Sequence, residues 1–331
     1  MPDVVTVGEC LVAFVAVAPG PLAESNAFER FVAGAEANVA VGLARLGHSV
    51  AFVGRVGADG FGDAIRRRLR GEGVATEHLI TDDGAPTGLM FRERRLLGPA
   101  QVVYARRASA GSRLTADDID RAAGANIFRD ARWLHLSGIT PALSGDALAA
   151  TFRAAELGRG AGLTISLDLN LRRRLWSDDA ARPVLRDLVA AADVVLGGPD
   201  ELAVIADRQP DAEPADLARA VLALGPAIAV VKLGDRGALA ATSQNGAGTI
   251  ARPGLPLRVV MDPVGAGDAF CAGFITAQLE GLPVERALEY GNACGAAAAS
   301  SVGDQSGLPD RNELLALLAS GDGGGAPDTI R

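Results

Sequence analysis

The sequence predicts an α/β fold in which a mostly parallel sheet carries helices on both faces and a small antiparallel β lid covers one edge. Strand and helix patterns alternate along most of the chain, the order that produces a parallel sheet with helical crossovers. Two stretches, Leu11–Val32 and Gly88–Ala108, break that rhythm and read as hairpins. At 331 residues the chain exceeds the roughly 250–300 at which a single hydrophobic core stops growing, so one large domain with a smaller appendage is expected.

Taken in order, Val4–Gly8 reads as a buried strand. Glu36–Leu46 places small and apolar residues at helical spacing and stops at Gly47 as a C-terminal cap. Val50–Val56 is the next strand, followed by a helix around Phe61–Leu69. Strands at Ala131–Leu136, Leu163–Leu169 and Asp193–Leu196 are interleaved with a helix around Gly145–Leu157. Strands at Ala227–Leu233 and Ala238–Thr242 precede two long helical patterns, Ala266–Gln278 and Val284–Ser301. In the second hairpin Leu89–Arg95 pairs with Gln101–Arg106 across Leu97-Gly98-Pro99-Ala100. The hairpins, about 11–33 and 87–108, are expected to join as the lid of a domain spanning residues 1–318, and the glycine-rich 319–331 to be a flexible tail.

Composition narrows the function. Hydrophobic residues at 49% and charged residues at 22% suit a globular protein, and no apolar run approaches the ~18 residues of a membrane span. Met1-Pro2-Asp3-Val4-Val5 enters a strand without the features of a secretory signal, which makes the cytoplasm the expected compartment. A net charge of −8 disfavours nucleic acid and anionic membrane as partners. Cys10, Cys271 and Cys294 lack disulfide or metal-site spacing, as do His48, His78 and His135. The basic run Arg66-Arg67-Arg68-Leu69-Arg70 reads as a solvated helix face, whereas Arg172-Arg173-Arg174 does not lie on such a pattern.

The strongest chemical signal is Asp262-Pro263-Val264-Gly265-Ala266-Gly267-Asp268, directly before an alanine-rich helix. Its glycines let backbone approach a ligand, and amides freed at a helix N-terminus form an anion site suited to a phosphoryl group in flight. Asp268 beside that site can accept the proton of an attacking hydroxyl, a role worth roughly 10²–10⁴-fold in rate. Taken alone, the motif fits equally an Asp that caps a helix after a glycine turn. Other phosphate-binding solutions are missing. Lys232 is the only lysine and is followed by Leu233, so there is no phosphate loop ending in Gly-Lys-Ser/Thr. The protein-kinase sequences and the dinucleotide fingerprint are absent as well.

Gly34-Ala35-Glu36-Ala37-Asn38-Val39-Ala40 sets two polar side chains at the start of a small-residue helix. Together with Asp262–Asp268 it resembles the paired signatures of the PfkB, or ribokinase-like, family of carbohydrate kinases, and the likeness runs from Val4 to about Leu317. The resemblance implies a ribokinase-like fold and transfer of the ATP γ-phosphoryl group to a sugar hydroxyl. In that scheme Asp268 is the base, the amides of Gly265, Ala266 and Gly267 form the anion hole, and Gly34, Ala35 and Asn38 bind substrate. Within the family the sequence most resembles 2-keto-3-deoxygluconate kinases. Tyr104-Ala105-Arg106 looks like the segment those enzymes close over the sugar acid, and Asp168-Leu169-Asn170-Leu171-Arg172 like their second binding strand. Arg106 and Arg172 are thereby expected to converge on one carboxylate. Leu136-Ser137-Gly138-Ile139-Thr140-Pro141 continues the likeness.

For the nucleotide, Lys232-Leu233-Gly234-Asp235-Arg236-Gly237-Ala238 resembles the family's ATP loop, with Asn170 also on the nucleotide side and Asn292 near adenine. Asp304 resembles a late acidic residue closing the substrate pocket, next to a loop that binds a monovalent cation (K+) in some relatives. Mg-ATP is the expected co-substrate. The family often carries Asn-x-x-Glu before its ATP half; here Gly198-Pro199-Asp200-Glu201 keeps Glu201, which would act on magnesium through water, and loses the amide. Met90 stands where an aromatic is expected. Lid edges in this family often pair between subunits, so a homo-oligomer is expected. The competing readings are a kinase for a neutral sugar or a nucleoside, and a non-catalytic sugar-binding protein.

Overall fold

The fold is that of a computed structural model, which describes residues 1–95, 100–243, 248–257 and 259–321. The turn residues Leu97-Gly98-Pro99 and the tail from 322 onward lie outside the described residues. The main sheet has the spatial order β13 (Thr249–Arg252), β12 (Ala238–Thr242), β11 (Ile228–Lys232), β10 (Val194–Gly197), β9 (Thr164–Asp168), β8 (Trp133–Ser137), β1 (Val4–Val7), β4 (Val50–Gly57) and β5 (Leu79–Asp82). From β11 to β5 all neighbours are parallel, and β12 and β13 extend one edge antiparallel.

Period-two alternation sends each strand's residues into two cores. Val4, Phe52, Trp133, Leu196 and Val230 pack under α1 (Ala35–Arg45), α2 (Gly60–Gly71), α8 (Ala266–Leu279), α9 (Val284–Ala299) and α10 (Arg311–Gly321). Val5, Val7, Leu134, Ile165, Leu167 and Val231 pack under α3 (Ala116–Gly124), α4 (Gly145–Gly160), α5 (Asp178–Ala191), α6 (Pro199–Ala206) and α7 (Pro214–Leu222). Near-continuous apolar strands are what a sheet covered on both faces requires. α8 is apolar all round and buries 11 of its 14 residues, so it runs through the first core instead of lying on the surface. α10 continues through Gly321, so residues 319–321 are helix and not part of the expected tail.

A second sheet has the order β3 (Phe28–Ala33), β2 (Leu11–Pro19), β6 (Leu89–Arg94) and β7 (Val102–Ala105). It consists of two antiparallel hairpins, as expected, joined by parallel pairing of β2 with β6. Its own core is small: Leu11, Ala13, Ala33 and Met90. Phe14 stacks on Phe91, with centroids 5.3 Å apart, and meets Phe61 of α2 edge-on at 5.7 Å, which ties the lid to the main body. No helix among the described residues is long and apolar enough to cross a membrane.

Candidate active site

The chain order places β1 beside both β4 and β8, a reversal that opens a crevice at the carboxyl ends of the strands. A cavity of about 490 Å³ lies there, bounded by strand ends, the N-terminus of α8 and the inner face of the lid. Gly265 caps α8 with φ +82, and a β-carbon on it would lie 2.5 Å from the Asp304 carbonyl oxygen, so both conformation and space call for glycine. The Ala266 amide donates to the Pro263 carbonyl at 3.3 Å, whereas the amides of Gly265 and Gly267 have no acceptor among the described residues. Of the three amides expected to form the anion hole, those two are therefore the available donors.

Asp268 stands in the first turn of α8 and is 8% exposed. Asn38 Nδ2 donates to its Oδ2 at 2.8 Å, and Gln305 Nε2 donates to Asn38 Oδ1 at 3.1 Å, which fixes the amide's orientation. Both ends of the Asn38 side chain are thus engaged by protein, and its direct contact is with Asp268. Burial pushes the Asp268 carboxyl up to about 7; the Asn38 hydrogen bond opposes this, nearby Asp168 adds to it, and Arg172 and Lys232 oppose it. Asn170, held at φ +38, contributes a longer contact to Asp268 Oδ1 at 3.5 Å. Gly34, at the N-cap of α1 with φ +140, has no room for a β-carbon, which would lie 2.3 Å from the Glu9 carbonyl oxygen. Glu36 does not face the cavity: its Oε1 accepts from Ser137 and Thr140 hydroxyls at 2.7 and 2.6 Å, and burial raises its pKa.

Three ion pairs surround this centre. Lys232 Nζ donates to Asp168 Oδ1 at 2.8 Å. Arg92, on the lid strand β6, grips Asp262 with two bonds of 2.9 and 2.5 Å, and Asp262 also accepts from the amides of Val264 and Gly303. Arg106, just past β7, pairs with Glu9, which also accepts from Ser109 Oγ at 2.8 Å; burial pushes the Glu9 carboxyl up while Arg106 pulls it down. Arg106 also lies 5.2 Å from the centre of the Tyr104 ring. Arg172 lines the cavity, is exposed, and forms no ion pair among the described residues. Asp304 is 5% exposed, and its Oδ1 has no partner among the described residues. Burial raises its carboxyl to about 6, with Arg92 opposing and Asp262 adding.

The expected site residues therefore divide. Gly34, Ala35, Asn38, Met90, Tyr104, Arg106, Asp168, Asn170, Arg172, Glu201, Lys232, Gly265, Gly267, Asp268 and Asp304 line one cavity. Gly234, Asp235, Gly237, Ala266 and Asn292 lie outside its lining; Asn292 Nδ2 donates to the Arg252 and Pro253 carbonyls at 3.2 and 2.9 Å, pinning the chain after β13. Glu201 Oε2 accepts from the Gly198 amide at 2.7 Å as a cap of α6, and its Oε1 accepts from the Leu171 amide at 2.8 Å, tying the helix to the loop after β9. Glu9, Arg92, Asp262 as an acceptor, and Gln305 were not expected from sequence. All three cysteines are free and buried, but Cys271 Sγ lies 3.7 Å from Asp168, at the edge of the site.

Comparison with known proteins agrees with this geometry. The description "pfkB family carbohydrate kinase" matches residues 1–311. Similar curated proteins include the 2-dehydro-3-deoxygluconokinases of Bacillus subtilis (strain 168), 37% identical over 96% of both chains, and of Thermoproteus tenax, 36% identical over 96% of this chain and 94% of that one. The 5-dehydro-2-deoxygluconokinase of Geobacillus kaustophilus (strain HTA426) is 33% identical over 90% of this chain and 86% of its own. Among solved structures, a PfkB protein from Polaromonas sp. JS666 superposes with a TM-score of 0.84 at 38% identity, covering 96% of this chain and all of that one. A fructokinase double mutant from Vibrio cholerae O395, bound to fructose, ADP and potassium ion, gives 0.82 at 28% identity over 96% and 98%. The chain, carrying both family signatures around one buried aspartate, belongs to the pfkB family of carbohydrate kinases.

Proposed function

We propose that this sugar kinase phosphorylates a sugar acid, 2-keto-3-deoxygluconate, giving the 6-phosphate with Mg-ATP as donor. The observation that carries the reading is the arrangement of Asp268, buried beside two unengaged helix-N-terminal amides, in the same cavity as Arg106 and Arg172. In the proposed step the sugar's primary hydroxyl attacks the γ-phosphorus in line, its proton passes to Asp268, and ADP departs with the electron pair of the broken O–P bond. A base poised near pH 7 combines an ionised population with useful proton affinity. The Gly265 and Gly267 amides offset the charge on the transferring group. Gly34 would hold a substrate hydroxyl, Asn38, engaged at both ends by Asp268 and Gln305, would act on substrate through Asp268, and the unpartnered Asp304 Oδ1 would gain a donor from another hydroxyl. The lid keeps water from competing as acceptor. Magnesium enters as part of the nucleotide; Glu201, already engaged by two backbone amides, would reach it only through water. A homo-oligomer formed through the open lid edges β3 and β7 belongs to the same reading.

A neutral-sugar kinase is the second reading, and one observation favours it: the charge of Arg106 is already met by Glu9, which leaves Arg172 as the unpaired cation for a carboxylate. A coupled ADP-release assay with Mg-ATP separates the two, comparing 2-keto-3-deoxygluconate, 5-dehydro-2-deoxygluconate, gluconate, fructose, ribose and adenosine at equal concentration. Preference for the 3-deoxy keto acid supports the proposal. Preference for fructose or ribose keeps Asp268 as base and discards the arginine assignment.

A further inference from the structure

Lys232 is the single lysine of this chain, in which 32 residues are Lys or Arg. Every other permanent side-chain cation is a guanidinium. Strand parity decides where the lone ammonium points. On β11, Lys232 shares a face with Val230, which pairs in register with Leu196 of β10, itself paired with Asp168 of β9. That face is the one covered by α8.

Two distances then locate the charge. Nζ is 2.8 Å from Asp168 Oδ1, and a β-carbon built on Gly267 would come within 3.3 Å of Nζ. The ammonium thus stands against the first turn of α8, beside the amide donors of Gly265 and Gly267. Asp168 is steadied on its other oxygen by Asn170 at 3.4 Å and Cys271 at 3.7 Å. Of the four cations lining the cavity, Arg92 and Arg106 belong to the lid and are paired to Asp262 and Glu9, and Arg172 is exposed. Lys232 is the one carried by a main-sheet strand and held at the anion hole.

We propose that the Lys232 ammonium, oriented by Asp168, is a catalytic group that contacts the γ-phosphoryl oxygens during transfer and complements the Gly265 and Gly267 amides. This rests on the phosphoryl-transfer reading but not on the identity of the sugar. The new bond forms between the sugar oxygen and the γ-phosphorus, the bond to the bridging oxygen breaks with its electron pair leaving on ADP, and the hydroxyl proton goes to Asp268. Lys232 keeps its own proton. Burial, the largest influence, would favour losing it, but Asp168, Cys271 and Glu201 together outweigh burial and hold the ammonium's pKa above its ordinary value. A compact point charge fits the gap against Gly267, where a planar guanidinium would turn its fork onto Asp168.

A purely structural role would be to staple β9 to β11 across β10, and the tests separate the two. Turnover of Lys232→Met, Lys232→Ala and Lys232→Arg is measured at saturating Mg-ATP with the best acceptor from the substrate panel, and Mg-ATP binding by calorimetry. The expected result for Lys232→Met is a loss of ~10²–10³-fold in kcat, the range for removing one transition-state donor, with less than ~10-fold change in Kd. Added methylammonium should restore part of the Lys232→Ala activity, and Lys232→Arg should remain impaired. Turnover of Lys232→Met within about threefold of the parent overturns the proposal. Should the variants fail to fold, the native enzyme still decides. Its one lysine gives one ¹⁵Nζ side-chain resonance, which is expected to move between the Mg-ADP complex and the complex with a non-hydrolysable ATP analogue. A resonance indifferent to the γ-group refutes the contact. That comparison needs no sugar, so it stands even if no acceptor in the panel is phosphorylated.

Discussion

Replacing Asp268 by Asn should abolish transfer while making the protein more stable at alkaline pH. Burial raises the Asp268 carboxyl from 3.8 to about 7 in the folded protein. At 1.36 kcal/mol per pH unit, an ionised Asp268 then costs the folded state ~4 kcal/mol relative to the unfolded chain. Below about pH 4 the group is neutral in both states and the cost vanishes. Between pH 4 and 7 the unfolded chain releases the proton first, so stability falls as pH rises, and above pH 7 the whole cost is present. The substituted amide would carry no charge, and its oxygen can still accept from Asn38, now 2.8 Å from the carboxylate. Urea unfolding followed by tryptophan fluorescence should place Asp268→Asn ~2–4 kcal/mol above the parent at pH 8, with the gap closing toward pH 4. Turnover should fall by at least ~10²-fold over the same range. A gap independent of pH, or a variant less stable than the parent at pH 8, would refute the claim that the site holds this carboxylate against its charge. Retained turnover would remove Asp268 as the base.

The remaining predictions use the same network. The acidic limb of kcat/KM should have its midpoint near pH 7, activity falling as Asp268 is protonated; Asn38→Ala removes a bond to the ionised form and should move that midpoint upward, so a midpoint that falls contradicts the assignment. Arg106→Ala should cost a sugar acid ~30-fold or more in kcat/KM beyond its cost to a neutral sugar, the lower end of losing one partner of a desolvated charge contact, since the lost tie to Glu9 acts on both. Equal losses on both would mean that Arg106 serves the lid through Glu9 and does not read substrate charge. Arg92→Met leaves Asp262 buried without its partner and should lower stability by ~3–5 kcal/mol in urea unfolding.

Local signals made much of this molecule legible in its sequence, and long-range ones did not. The buried strands declared themselves through apolar runs, and the lid through two hairpin patterns in otherwise alternating α/β order. α3, α5, α6, α7 and α10 went unassigned; in α3, α5 and α7 the buried stripe is narrow and set among charged residues, carried by Ile119 and Ala122, by Leu185 and Leu188, and by Leu217 and Val221. For α3 a signal was present: Thr115 and Asp118 form a reciprocal capping box ahead of Ala116. In α5 an internal Pro183 obscures the helical pattern. In the site, Gly265, Gly267 and Asp268 were readable because a helix N-terminus carries its anion site within a few residues. The ion pairs were not, since Arg92 and Asp262 are 170 residues apart and Lys232 and Asp168 are 64 apart. No local pattern links such partners. The partners of Asn292 were hidden for a related reason: its Nδ2 donates to the Arg252 and Pro253 carbonyls, which lie about 40 residues away in sequence.

How the lid holds its place follows from those long-range pairs. Its own core of Leu11, Ala13, Ala33 and Met90 is too small to orient four strands. Instead Arg92 and Arg106 each reach from the lid to a carboxylate of the main body, Asp262 and Glu9, and Arg174 of the main body donates to the Val102 carbonyl of β7. Asp262 also accepts from the Val264 and Gly303 amides, so one carboxylate ties the lid strand to the anion loop and to the turn bearing Asp304. A buried ion pair is a weak source of net stability, because desolvation offsets most of its attraction. What it supplies here is direction, since a bidentate pair fixes orientation in a way that apolar contact does not. Stability and turnover should therefore part company in the double variant Arg92→Met with Asp262→Leu. Filling the site with apolar volume should recover most of the stability lost in Arg92→Met alone. Turnover should stay depressed by ~10-fold or more, because a misplacement of about 1 Å in the anion loop is enough to cost that much. If the double variant regains both together, Arg92 and Asp262 are a packing element, and the coupling of lid to anion loop is lost as an explanation.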